Sequence, residues 1–377
     1  MIRVLHFAEI INRFDIIDTV LTRLDRSRFE VFAMTGKPPR EAGEYKSEEI
    51  YDTRCLNFEF TRSNFGRMFS ALVGEIKRFR PHILQAHHYN ENIVASLAVR
   101  FARVPCYIIG RHYSDHIYYL TRGLKRRAFL AAEGFCNKAA TRITVPTKGV
   151  AQILTDLQGV PSEKVVVIPF GLDFNKYRPS TPEAPLRLRS EFGLEEKYMV
   201  IACGRLNPEK GLDYLLKAVP EVRSRNGDFR LVLVGSGPYE DHLRRLSREL
   251  NLEDTVQFVG WRNDPMDWIA AADLIVHPAF CESWCQLLFE ALAFSKPVIM
   301  TPVGAAPEVI GDNERGRLIP PGDSQAMATA MIELMSDREK GRRMAEAGRD
   351  FIYRNVGADL ATRRYEELYE TALRQAS

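Results

Sequence analysis

Two glutamates, Glu282 and Glu290, bracket Ser283-Trp284-Cys285-Gln286-Leu287-Leu288-Phe289, a segment polar at its start and apolar through its body. A helix opening near Trp284 would put Glu282 at its positive end and carry Glu290 about two turns further on. The N–H groups of Trp284, Cys285, Gln286 and Leu287 would then lack helical acceptors. Such a segment can grip sugar hydroxyls with a carboxylate while its N–H groups hold a phosphate. The competing structural reading makes Glu282 a simple helix cap and Glu290 a solvent-facing residue. Upstream, Cys203-Gly204-Arg205-Leu206-Asn207-Pro208-Glu209-Lys210-Gly211 puts glycines and two cations in one loop. Gly204 lets a ligand approach the backbone. Arg205 and Lys210 can neutralise two phosphates, one as a planar fork and the other as a point charge. A second glycine turn, Val234-Gly235-Ser236-Gly237-Pro238, has Glu240 where the dinucleotide fingerprint needs its third glycine. By itself it reads as a tight bend before a helix, with Pro238 near the first helical position.

Elements must hold these segments at one end of a sheet. Short apolar runs alternate with amphipathic stretches, which predicts an α/β protein with mainly parallel strands. In the first half, strands are expected at 3–7, 30–34, 82–85, 106–110, 141–145 and 165–169, with helices over 65–79 and 90–103. Met68, Leu72, Ile76 and Phe79 recur at helical spacing in the first of these helices. In the second half, strands at 198–203, 230–234, 256–258, 274–277 and 297–300 alternate with helices at 212–222, 239–250, 265–272 and 287–293. Each candidate segment therefore follows a strand, and ligands of open α/β sheets bind beyond strand carboxyl ends. Pro179, Pro182 and Pro185 mark a stretch suited to a linker. The expected organisation is a domain over 1–178, a linker over 179–192, a second domain over 193–357 and a terminal helix over 358–377. That helix presents Leu360, Tyr365, Leu368, Tyr369 and Ala372 as its packing face, and either closes the second domain or braces the first.

The chain has 377 residues, 45% hydrophobic and 27% charged, enough for two cores. Its net charge of +3 hides an asymmetry: residues 1–180 hold 27 Lys and Arg against 18 Asp and Glu, and the remainder holds 25 against 31. A uniformly basic nucleic-acid coat is thereby excluded. No apolar run approaches the roughly 18–20 residues of a spanning helix. The opening residues read as a short buried strand rather than a signal peptide. Six cysteines without a C-x-x-C pair predict a reduced, cytoplasmic protein. His277, Cys281 and Cys285 are spaced by four, yet Pro278 interrupts the helix a metal face would need, so no metal is expected.

Gly204-Arg205 with Glu209-Lys210-Gly211, then Val234-Gly235-Ser236-Gly237-Pro238, then Glu282 with Glu290 together resemble the donor half of the retaining GT-B glycosyltransferases of family 4, glycosyl transferases group 1. Pro169-Phe170-Gly171-Leu172-Asp173, Val259-Gly260-Trp261 and Gly304-Ala305-Ala306-Pro307-Glu308 fit the same motif order. The resemblance implies the GT-B fold, with two doubly wound Rossmann-like domains facing a central cleft. It implies transfer of a hexose-type sugar, with retention, from a nucleotide-diphosphate sugar to a saccharide, lipid-linked or other cell-envelope acceptor. By it, Arg205 and Lys210 bind the departing diphosphate, Glu282 the donor-sugar hydroxyls and Glu290 the ribose. Gly204, Gly235, Gly237, Trp261, Ser283, Trp284, Cys285, Gln286 and Leu287 complete the donor site, with no metal or other cofactor. Family frequency favours a UDP-sugar over a GDP-sugar.

The first half resembles the family less closely. Gln85-Ala86-His87 stands at its His-Ala-His strand end, and Arg111-His112-Tyr113 falls where the family sets a histidine against the donor sugar. His112 is therefore the catalytic candidate there, with Asn12, Arg13, His87 and Arg111 on the acceptor side. The family's glycine pair after the first strand is replaced by Ile11-Asn12. A tract over 100–148 holds ten Lys and Arg against Asp115 and Glu133. It reads either as a solvated helical face or as a patch meeting anionic lipid at the cytoplasmic face of a membrane. Two other functions fit the same residues: a non-transferase GT-B enzyme, either an epimerase or a phosphorylase, and a nucleotide-sugar-binding protein without transferase activity.

Overall fold

The computed structural model describes residues 1–9, 11, 16–37, 52–112 and 114–376. Apolar runs too short for helices, and buried on both faces, form its central strands, as parallel sheets require. In the first sheet these are β1 (Ile2–Ala8), β2 (Phe29–Thr35), β3 (Asp52–Cys55), β4 (Ile83–His87), β5 (Cys106–Gly110), β6 (Arg142–Val145) and β7 (Val165–Val167). Their order is β3-β2-β1-β4-β5-β6-β7, all parallel, with Val4 opposite both Val31 and Ile83. The order reverses between β1 and β4, which makes the carboxyl ends of those strands the ligand end.

The second sheet comprises β8 (Tyr198–Cys203), β9 (Phe229–Val234), β10 (Val256–Gly260), β11 (Leu274–His277), β12 (Val298–Met300) and β13 (Arg317–Leu318). It runs β10-β9-β8-β11-β12-β13 and reverses between β8 and β11. Helix Leu212–Arg225 buries Leu215, Leu216, Val219 and Val222 on one face of this sheet, against Leu231, Leu233 and Val276. Pro220 lies within that helix without ending it. The unexpected strands are the edge strands β3 and β13, which are short and only half-buried, so they leave no apolar run in the sequence.

The chain divides into one unit of Met1–Asp173 with Val356–Ser377 and another of Phe174–Asn355. This moves the expected boundary upstream and removes the linker. Residues 179–192 are built into the second unit: Ala184–Glu191 is a helix with proline in its first turn, where a missing N–H costs nothing. The N–H and Oγ of Ser180 both donate to the Asp267 carboxylate at 2.6 Å. The helix Ala358–Ala376 packs Ala361, Tyr365, Leu368, Tyr369 and Ala372 against Val4, Val31, Ile83 and Ile108 of the first sheet.

Candidate functional site

Three of the singled-out segments meet beyond β8, β9 and β11, beside the reversal of strand order in the second unit. The first two are zipped together by backbone hydrogen bonds. Gly204 N–H donates to Val234 O at 2.9 Å, Leu206 N–H to Ser236 O at 3.0 Å and Tyr239 N–H to Leu206 O at 3.0 Å. The glycines make this approach possible. A Cβ on Gly235 would sit 1.9 Å from Gly204 O, and one on Gly237 would sit 2.3 Å from Leu206 O. Gly204 differs: its φ of +145° requires glycine, yet nothing lies within 4 Å of where a Cβ would point. Its open face is the one that a ligand can approach.

The β8 loop also leans on the segment after β11. Phe280 N–H donates to Glu209 O at 2.8 Å, and a Cβ on Gly211 would lie 2.2 Å from Pro278 O. That packing delivers the Lys210 ammonium onto Glu282 Oε1. His277, the last residue of β11, reaches the same oxygen from Nε2 at 3.0 Å. Burial opposes ionisation of Glu282, but the His277 hydrogen bond and the Lys210 charge outweigh it and hold the carboxyl at about 2. Burial likewise opposes a charge on His277, while Cys285 and Glu282 raise it to about 9. At neutral pH the Glu282 carboxylate therefore lies between the Lys210 ammonium and a protonated His277. Arg205 is exposed on the same loop and makes no ion pair with any described residue.

Helix Gln286–Ala293 opens one residue before the expected 287–293 and two after Trp284, with Cys285 in the left-handed conformation (φ +68°) at its N-cap. Glu282 sits in the approach to the helix, ahead of its N-cap. Trp284 and Ser283 are buried, and the Trp284 ring stacks on Phe289 at 4.1 Å, so this side chain builds the scaffold. Leu287 is buried too, and Gln286 donates from Nε2 to Tyr177 Oη at 2.8 Å. Glu290 lies on the second turn, where burial raises its carboxyl to about 7 against the opposing hydrogen bond from Gln286. Its carboxyl therefore exchanges a proton near neutral pH, and only its ionised form is an acceptor alone. Trp261 follows β10 and is 72% exposed.

The first unit corrects the acceptor-side expectations. Arg111 is fully buried, with its guanidinium on Glu133 and Asn137, so the charge serves the interior. His87 is also buried, between His6 and His112, and does not face solvent. Asn12 and Arg13 lie outside the described residues. His112 follows β5 at the ligand end of the first sheet, with the Phe170 ring 5.2 Å away. Sequence reasoning missed His277 as a partner of Glu282, since only its metal-like spacing drew notice. It also missed His6 and Tyr369, whose separation of 363 residues leaves no local pattern. Among the described residues, no three His, Cys, Asp or Glu gather closely enough to hold a metal ion.

Two doubly wound parallel sheets, of seven and six strands, define the GT-B fold. The Anabaena HepE protein, solved in complex with UDP, superposes with a TM-score of 0.81 at 20% identity, covering 98% of this chain and 100% of that one. Sucrose-phosphate synthase from Thermosynechococcus elongatus gives 0.81 at 19% identity over 100% of both chains. The family profile for glycosyl transferases group 1 matches residues 187–351, and that for glycosyltransferase family 4 matches residues 16–176. The chain belongs to this glycosyltransferase family. A GDP-mannose-dependent alpha-(1-6)-phosphatidylinositol monomannoside mannosyltransferase of Mycolicibacterium smegmatis is 32% identical over 217 residues, 53% of this chain and 56% of the relative. A GDP-mannose-dependent monoacylated alpha-(1-6)-phosphatidylinositol monomannoside mannosyltransferase of Corynebacterium glutamicum is 35% identical over 49% of this chain and 50% of the relative. The chain thus spans about half the length of the curated relatives it matches.

Proposed function

We propose that this protein is a retaining, metal-independent glycosyltransferase that moves a sugar from a nucleotide-diphosphate sugar to a saccharide or lipid-linked acceptor. The observation that carries this reading is the ionised cluster of Lys210, Glu282 and His277, with Arg205 beside it and the open face of Gly204 on the same loop. Breaking an anomeric bond builds negative charge on the leaving diphosphate. Cations and N–H groups fixed in advance at that point act mainly in the transition state. Lys210 keeps two further N–H donors for phosphate while it holds Glu282. Glu282 and Glu290 accept from sugar and ribose hydroxyls. For the donor base, the names of the relatives point to GDP-mannose, and the complexes of the structural neighbours point to UDP. We favour GDP-mannose, because the sequence relatives are the nearer in identity; the sequence lean to UDP rested on family frequency alone.

Calorimetry with GDP and UDP, and transfer assays with GDP-mannose and UDP-glucose, test the reading together. Arg205→Ala and Lys210→Ala are each expected to weaken nucleotide-diphosphate binding about tenfold or more, as loss of a charge-assisted contact implies. Affinity unchanged in both variants removes the phosphate assignment. A donor epimerised or cleaved only with orthophosphate would instead make the protein a non-transferase enzyme.

We further place the acceptor at a lipid surface. No described helix is long and apolar enough to cross a membrane. However, Leu124 is 81% and Phe101 73% exposed, and Arg100, Arg103, Lys125 and Arg127 are exposed near them in sequence. Basic side chains beside bare apolar ones suit an anionic interface. The protein is expected to float with vesicles containing anionic lipid at low salt, to release as salt rises, and to lose binding in Leu124→Ser. Equal recovery with neutral and anionic vesicles contradicts this.

A further inference from the structure

A tyrosine and three imidazoles run in single file through the first unit to His112. Tyr369 Oη donates to Gln85 Oε1 at 2.6 Å and meets His6 Nε2 at 3.2 Å. His6 Nδ1 meets His87 Nε2 at 3.1 Å, and His87 Nδ1 meets His112 Nε2 at 3.2 Å. Successive rings are nearly parallel, at 14° for His6 with His87 and 9° for His87 with His112. Gly110 makes room for the last contact. A Cβ there would lie 2.6 Å from His87 Nδ1 and 2.9 Å from His112 Nε2. Four elements must assemble to build the file: the C-terminal helix, β1, β4 and the end of β5.

A neutral imidazole carries one N–H and one bare nitrogen. Burial keeps all three rings neutral, and drives His6 and His112 to about 3. Each contact in such a file holds one proton, so the direction of one contact fixes the next. The hydroxyl proton of Tyr369 lies on Gln85, so the neighbouring contact takes its proton from His6 Nε2. His6 Nδ1 is then bare and accepts from His87 Nε2. His87 Nδ1 is bare in turn and accepts from His112 Nε2. His112 ends the file with a bare Nδ1, which is buried and has no partner among the described residues.

We propose that His6, His87 and Tyr369 are positioning residues that fix His112 as a hydrogen-bond acceptor at Nδ1, ready for a substrate hydroxyl, with Gln85 setting the direction of the file. Turning the Gln85 amide would shift every proton one place and make His112 a donor instead. This explains why the terminal helix carries a tyrosine at 369 when Phe would fill the same space. The choice of a sugar hydroxyl as the partner rests on the function proposed above; the protonation pattern does not.

The test is long-range 1H–15N spectroscopy of the full chain with 15N-labelled histidine, because protonated and bare ring nitrogens give separate signals. In the unmodified protein, His6, His87 and His112 are all expected to carry their proton on Nε2. A mixed set, or an Nδ1–H on His112, overturns the proposal without recourse to any variant. Tyr369→Phe keeps the ring and removes the oxygen. It is expected to shift the His112 nitrogens toward a mixture of tautomers, although the two residues do not touch. Gly110→Ala, which forces His87 and His112 apart, should do the same. A merely structural role predicts an unchanged His112 spectrum in Tyr369→Phe, and that result also overturns the proposal. With transfer measured, Tyr369→Phe should lower kcat about tenfold while the donor KM stays within about twofold. Unchanged kcat breaks the link to substrate. A chain that transfers no sugar but shows the expected tautomers refutes the proposed function and leaves the relay standing.

Discussion

Glu282→Gln is expected to slow sugar transfer about a hundredfold to a thousandfold, the range seen when one preorganised polar group is lost from a reacting centre. Nucleotide-diphosphate affinity should change only a few-fold, because Arg205, Lys210 and the Gly204 backbone remain. Gln preserves the shape of the side chain but removes the charge shared by Lys210 and His277. The same substitution has a signature in stability. Glu282 is depressed from 4.5 to about 2 in the fold, so its ionised form contributes stability above pH 4.5 that is lost as pH falls toward about 2. His277 is raised from 6.5 to about 9, so its charged form contributes stability below pH 6.5 that is lost as pH rises through about 9. Thermal melts from pH 6.5 to 9 should therefore show the native protein losing stability, with Glu282→Gln losing less because the carboxylate that helps to raise His277 has gone. Full turnover in Glu282→Gln would remove this carboxylate from the chemistry. A melting profile parallel to that of the native chain would separate His277 from it.

How much of this was legible in the sequence follows from where each signal resides. The central strands were readable because burial on both faces demands unbroken apolar runs, and β5, β8 and β11 fall on the expected residues. The edge strand β3, Asp-Thr-Arg-Cys, has no such demand placed on it and looks like a loop. Prolines at 179, 182 and 185 mimicked a linker because a proline in the first turn of a helix looks, in sequence, like a helix breaker. The three loops of the candidate site were legible since each follows its strand directly. What no local pattern could reveal was pairing across the fold. Lys210 and Glu282 were each assigned a ligand of their own, yet the structure joins them 72 residues apart. Arg111 was expected on the acceptor side, but Glu133 on helix Gly123–Ala139 holds its guanidinium in the interior. Gly235 and Gly237 read by themselves as a tight bend, but their packing against the β8 loop, across the fold, leaves no local signal.

That packing yields the second large effect. Gly235→Ala is expected to destabilise the second unit by about 3–5 kcal/mol, combining a cost of about 1–3 kcal/mol for a forbidden backbone conformation with the breaking of the loop zipper. Its φ of +137° suits only glycine, and the added methyl would need the space of Gly204 O, 1.9 Å away and part of the backbone. Backbone cannot rotate aside as a side chain can, so β8 and β9 must part at their carboxyl ends. The bonds from Gly204 N to Val234 O and from Leu206 N to Ser236 O would be strained together. At roughly 2–4 °C per kcal/mol for a unit of this size, the melting midpoint should fall by about 10 °C. Gly204→Ala provides the contrast. Its φ of +145° imposes the conformational cost alone, since nothing lies within 4 Å of the new methyl. It should therefore melt nearer the native chain, yet lose nucleotide affinity, because the methyl occupies the face left open for ligand. If Gly235→Ala melts with the native protein, the zipper does not hold these loops. If Gly204→Ala binds GDP and UDP as tightly as the native chain, the diphosphate does not approach along that face. The two glycines, one residue type in two neighbouring turns, would thus separate a packing role from a binding role by which measurement each one moves.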